Sequence, residues 1–107
     1  MRVARACFRS YVFRVRITFD PAKREKTLRK RGLDFAHAAE IFAGPTIVTL
    51  DKRRDYGEDR YITIGYLDDR MIALVWTPRG GARRVISMRN CNDREKKRYQ
   101  AELGRPG

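Results

Sequence analysis

Between residues 13 and 20 the chain alternates, with Phe13, Val15, Ile17 and Phe19 separated by Arg14, Arg16, Thr18 and Asp20. A period of two puts the apolar side chains on one face and the charged ones on the other, which predicts a strand with a core face and a basic face. The period then becomes helical. Asp20 and Pro21 supply an N-cap and a first-turn proline, "PAKREKTLRKR" follows, and Gly32 ends it. Ala22 and Leu28 are its main apolar anchors, so this helix should lie across a surface with its cations outward. A second helix is predicted over "FAHAAEIFA", where Phe35, Ala38, Ala39 and Phe42 share a face and Gly44-Pro45 is the stop.

Four short strand patterns come next: "TIVTL", "RYITIGY", "RMIALVWT" and "RRVISMR". Asp68-Asp69 reads as the hairpin turn between the second and third, and Arg79-Gly80-Gly81 as the turn between the third and fourth. The last element, "NDREKKRYQAEL", begins with Asn92 as N-cap and Glu95 three residues on, the pattern of a capping box. Tyr99 and Leu103 form its apolar stripe. The expected class is α+β in the order β-α-α-β-β-β-β-α, an antiparallel sheet with helices over one face.

Composition narrows the partners. The chain has 107 residues, one domain's worth, and a formal net charge of +12. Residues 2–31 hold eleven Lys/Arg against Asp20 and Glu25, and residues 83–98 hold seven against Asp93 and Glu95, while 32–82 is slightly acidic. Two basic blocks that can meet after folding are the footprint of a polyanion binder. Residues 1–12 are Arg-rich and acid-free, like a transit peptide, yet they run without a linker into the first strand. They are read as an extension or a lengthened edge strand, with residues 13–107 as the single domain.

No apolar run is long enough for a membrane span. Cys7 and Cys91 stand far apart with no CxxC, which argues for a reduced, cytoplasmic protein and against a zinc site. Neither GxGxxG, P-loop, GxSxG nor HExxH occurs, and His37 has no nucleophile or acid patterned with it. Phosphate chemistry without a metal or cofactor stays open. Cutting RNA requires the 2′-hydroxyl deprotonated, the phosphate charge stabilised and the leaving oxygen protonated. Lys23, Arg60, Arg84, Arg89 and Tyr99 fall near the ends of predicted elements and could serve these needs. From spacing alone the plainer reading prevails: arginines on a strand's solvent face, and Tyr99 packed as the anchor of its helix. The acidic knot "DYGEDRYITIG" reads as a turn, with Gly57 for the bend and Glu58 and Asp59 placed to orient Arg60.

Four stretches, "FDPAK", "LRKRGLDFAHAAEIF", "DYGEDRYITIG" and "RRVISMRNCNDREKKRYQ", together resemble the BrnT family of ribonuclease toxins from type II toxin–antitoxin pairs. The resemblance implies a RelE-like fold, RNA cleavage that arrests growth, and a BrnA-like antitoxin. That partner would be a ribbon-helix-helix protein, so DNA would be met only indirectly, through the antitoxin. The family's Trp-Asp-x-x-Lys is matched by Phe19-Asp20-Pro21-Ala22-Lys23, and its Lys-His-Gly by Lys30-Arg31-Gly32, with Arg31 in the histidine's place. Thr27 stands where the family has Asn, Arg60 follows the acidic turn, and Arg84 to Arg89 keep the R-x-I-S-x-R motif. Glu95 and Tyr99 match its last two positions.

The expected activity is therefore that of a metal-independent endoribonuclease toxin. Arg60, Arg84 and Arg89 would contact the phosphate and transition state, and Lys23 and Tyr99 would move protons or touch RNA. Arg29, Lys30, Arg31 and Lys96 would add RNA-binding charge. The alternative is a non-catalytic basic module that binds RNA or an antitoxin, which would show salt-dependent binding without cleavage.

Overall fold

The computed structural model describes residues 15–104, so the N-terminal extension, Phe13 and Arg14 lie outside the described residues. What is described of the first strand is β1, Ile17–Thr18. There follow α1 (Pro21–Arg31), a 3-10 turn (Phe35–His37), α2 (Ala38–Ala43), β2 (Ile47–Leu50), β3 (Tyr61–Leu67), β4 (Arg70–Arg79), β5 (Ala82–Asn90) and α3 (Asp93–Leu103). The α+β class holds, and the local signals act as their chemistry dictates. Asp20 accepts a hydrogen bond from the Ala22 amide at 2.9 Å, and Gly32 takes φ +70° to end α1. Asn92 and Glu95 close the capping box of α3. Asp68 and Asp69 both have positive φ, as a two-residue hairpin turn with right-handed strand twist requires.

Three expectations are corrected. The sheet is mixed: its strand order is β1-β5-β4-β3-β2, and β1 pairs with β5 in parallel. Short hairpin links constrain only strands adjacent in sequence, and β1 reaches β5 from the far end of the chain. The second helix begins as a 3-10 turn, because Asp34 accepts from the Ala36 amide two residues on and holds that first turn tight. Finally, the helices do not share a face. The 3-10 turn and α2 bring Phe35, Ala38 and Ile41 onto Ile72, Leu74, Trp76, Val85 and Met88. On the other side, Leu103 and Tyr99 of α3 pack with Ile64, Met71 and Ala73. Both alternate sets of β3 and β4 are apolar, as in "YITIGYL" and "MIALVW", so each face needs a cover.

The first core contains one polar contact that matters. Trp76 donates from Nε1 to Thr63 Oγ1 at 2.8 Å, with Thr63 fully buried. Tyr61 stacks on the same indole at 5.0 Å.

Candidate active site

Residues paired across an antiparallel ladder point to the same face. Arg84 pairs with Thr77, Ser87 with Val75 and Arg89 with Ala73. Since Ala73 belongs to the core beneath α3, all three β5 residues lie on that second face. Between the Val75–Ser87 and Trp76–Val85 pairs the register shifts, leaving Ile86 as the extra residue of a bulge. A bulge bends its strand and re-aims nearby side chains. Arg60 precedes Tyr61 by one residue, and continuing the alternation sets it on the second face too.

The edge of β5 beyond β1 is taken by α1. Arg31 donates from Nη1 to the Met88 carbonyl at 2.8 Å, satisfying a strand-edge acceptor. Between helix and strand runs an open groove of about 410 Å³, whose helix wall is Lys23, Lys26, Thr27, Lys30 and Arg31. Ile86 and Ser87 form the strand wall, and no carboxylate lines the groove. Lys23, Lys26 and Lys30 recur at intervals of three and four, so they make one stripe of α1. Ser87 belongs to both the groove and the row on β5. Arg84 is half-buried, and its guanidinium makes no hydrogen bond or ion pair among the described residues. Arg29 does not line this groove.

Two carboxylates position the other arginines. Arg89 forks onto Glu95, Nη1 to Oε1 and Nη2 to Oε2, each at 2.8 Å. That guanidinium holds the Glu95 carboxyl down at about 2. Arg60 donates to Glu58 Oε2 at 3.1 Å and lies 4.1 Å over the Tyr56 ring, a cation–π contact. The other Glu58 oxygen accepts from Arg79 at 2.7 Å, and Arg79 together with Arg60 holds this carboxyl below its ordinary value. Asp59 acts differently: its backbone carbonyl accepts from the Thr77 hydroxyl at 2.7 Å. Buried Asp51 anchors the same loop, accepting from Arg53 and from the Tyr56 hydroxyl.

Tyr99 packs against the second core with Arg98 over its ring, so the α3 anchor is its position. Lys96 lies apart from the α1 groove, in a depression shared with Tyr66 and Gln100. His37 is exposed on the 3-10 turn. Cys91 is buried, and burial pushes its thiol up to about 11, which leaves it unsuited to nucleophilic work. Among the described residues, no three of His, Cys, Asp and Glu gather where a metal could sit. Lys26 was expected only as one of the outward cations of α1, and Arg79 and Ser87 were given no role in the site. Helical spacing from Lys23 and Lys30 was a signal for Lys26, and the R-x-I-S-x-R motif already contained Ser87; Arg79 had none, since its link to Glu58 spans 21 residues.

A family model described as "Ribonuclease toxin, BrnT, of type II toxin-antitoxin system" matches residues 19–95. A search of curated proteins gave no match.

Proposed function

Because the chain belongs to the BrnT family of ribonuclease toxins of type II toxin–antitoxin systems, we propose that it cuts RNA along the second face of its sheet without a metal ion. The observation that supports this reading best is the row of Arg84, Ser87 and Arg89 on one face of β5, joined through Ser87 to the groove whose other wall is the lysine stripe of α1. A phosphodiester laid along it meets cations on both sides. In this reading the 2′-oxygen attacks the adjacent phosphorus and the 5′-oxygen leaves. Arg84 takes the charge that develops on the phosphoryl oxygens, since guanidinium is always protonated and matches that geometry. Arg89 and Arg60, aimed by Glu95 and Glu58, hold the neighbouring phosphates. Lys23, in the groove, is the candidate for moving protons, with Lys30, Arg31 and Arg29 adding electrostatic attraction for the strand. Tyr99 is placed second for proton transfer, because its ring serves the core. Glu58 and Glu95 are engaged with arginines, so the site's charge is supplied by cations, which supports cleavage independent of metal.

A toxin of this class has a cognate antitoxin. We take that partner to be a small ribbon-helix-helix protein that carries any DNA binding itself, and the compartment to be the cytoplasm. No described helix is long and apolar enough to cross a membrane.

The test is cleavage of total RNA by the purified chain with and without EDTA. Cleavage should persist in EDTA, and Arg84→Ala should lower it by about a hundred- to a thousand-fold. Arg60→Ala should also lower it and relieve growth arrest on induction. Salt-sensitive RNA binding with no cleavage would instead make the chain a binding module.

A further inference from the structure

The depression holding Lys96 differs in chemistry from the α1 groove. It has a volume of about 340 Å³ and lies between the β3–β4 hairpin and α3, with buried Met71 and half-buried Tyr66 as its apolar surfaces. The Tyr66 hydroxyl donates to the Gly104 carbonyl at 2.8 Å, which fixes the ring. Around this floor stand two amides, Asn90 and Gln100, and a carboxylate, Asp69, with Arg70 and Lys96 at the rim. None of these five side chains makes a hydrogen bond or ion pair among the described residues. By contrast, four carboxylates, Asp34, Asp51, Glu58 and Glu95, are each held by arginine.

Unengaged amides, which both donate and accept, around a small apolar floor with cations at the mouth fit one class of ligand. A single unstacked nucleobase needs an apolar surface for its face, amides for its edge and a cation for its phosphate. The position also fits. Asn90 follows Arg89 and ends β5, pairing with Ile72 on the other face from Arg89, so the depression lies at the strand's end just beyond the row of Arg84, Ser87 and Arg89. At a strand rise of about 3.3 Å per residue, Arg84 and Asn90 are roughly 20 Å apart, within reach of one short RNA segment.

We propose that this depression is a base-reading subsite, holding one unpaired nucleobase of the RNA at a fixed offset from the bond to be cut. The inference rests on the ribonuclease reading, and its test separates the two. Single-stranded RNA oligonucleotides that vary one base at a time around a cleavable bond are digested by the wild-type chain and by an Asn90→Ala/Gln100→Ala double variant. Wild-type kcat/KM should change about tenfold or more with the base at one position, and the double variant should flatten that preference. An identical preference profile in the variant would overturn the proposal while leaving the ribonuclease reading in place. In parallel, the four nucleoside 5′-monophosphates are titrated into the full chain and followed by amide chemical shifts. Shifts at Tyr66, Asn90 and Gln100 support the subsite even if no RNA is cut, in which case the ribonuclease reading fails alone. Shifts confined to α1 and Ser87 would count against the subsite.

Discussion

The two faces of the sheet are built from alternate residues of the same strands, yet they do opposite things. Along β5, Val85 and Met88 enter a dry core in which Ile72, Leu74 and Met88 are fully buried. One residue away on either side, Arg84, Ser87 and Arg89 line the other face and meet water, helix α1 and the capping carboxylate of α3. Within the first face, Thr63 and Trp76 satisfy each other, and at its margin the Arg83 guanidinium lies over the Phe42 and Trp76 rings. The second face gathers like charges that would repel one another in a core, and relieves part of that repulsion through Glu58 and Glu95. A strand period of two therefore lets one short element specify a fold and aim a site, with little overlap between the residues responsible.

That separation can be broken by substitution on each face. Leu74→Ala removes a fully buried side chain facing Met88 and should cost about 2–5 kcal/mol, read as a lower urea midpoint. For a chain of this size the loss consumes much of a total stability of about 5–15 kcal/mol. Arg84→Ala, only a few residues away in space, should leave the urea midpoint close to wild type while cleavage collapses. If Arg84→Ala unfolded as readily as Leu74→Ala, the two faces would not be separable and its loss of activity would say nothing about chemistry.

The first face was the more legible one in the sequence. Binary patterning and turn chemistry located β3, β4 and β5, and the bounds predicted for α1 are those observed, because Asp20, Pro21 and Gly32 act within one turn of themselves. What could not be read was long-range. The parallel pairing of Ile17 with Arg83 joins residues 66 apart, and no local propensity encodes it. The placement of α3 opposite α2 was written in the apolar runs of β3 and β4, whose two-sided burial an alternating template overlooks. For the candidate site, the residue types were visible but their partners were not. Glu58 as an anchor for Arg60 was local enough to anticipate, whereas its second arginine, Arg79, came from another strand.

A smaller effect sharpens the account of the first face. Thr63→Val keeps the shape of the side chain and removes the acceptor of the Trp76 indole N–H. A buried donor left without a partner costs about 1–3 kcal/mol, so Thr63→Val should be destabilised by that amount. Thr63→Ser retains the hydroxyl and should lose only the packing of one methyl group. Equal stability of Thr63→Val and wild type would mean that the buried hydrogen bond contributes nothing net to this core.

The smallest effect belongs to the second face and depends on pH. Folding lowers the Glu95 carboxyl from 4.5 to about 2, chiefly through the hydrogen bonds from Arg89. A carboxyl depressed on folding stabilises the native state above its unfolded value, and that contribution is lost as pH falls from about 4.5 toward 2. Arg89 is nearly half exposed, so solvent screening limits the pair to roughly 1 kcal/mol. Asp34, also lowered to about 2 by Arg24, titrates over the same range, so the wild-type curve alone cannot isolate Glu95. Glu95→Gln does isolate it, because the amide oxygen can still accept from the Asn92 N–H and keep the capping box while the charge is gone. The gap between the urea midpoints of the two proteins at pH 7 should shrink to a small fraction by pH 2.5, whereas the Leu74→Ala deficit should persist across the same range. A gap between wild type and Glu95→Gln that kept its pH 7 size at pH 2.5 would locate the contribution of Glu95 in its capping geometry and leave Arg89 electrostatically unanchored.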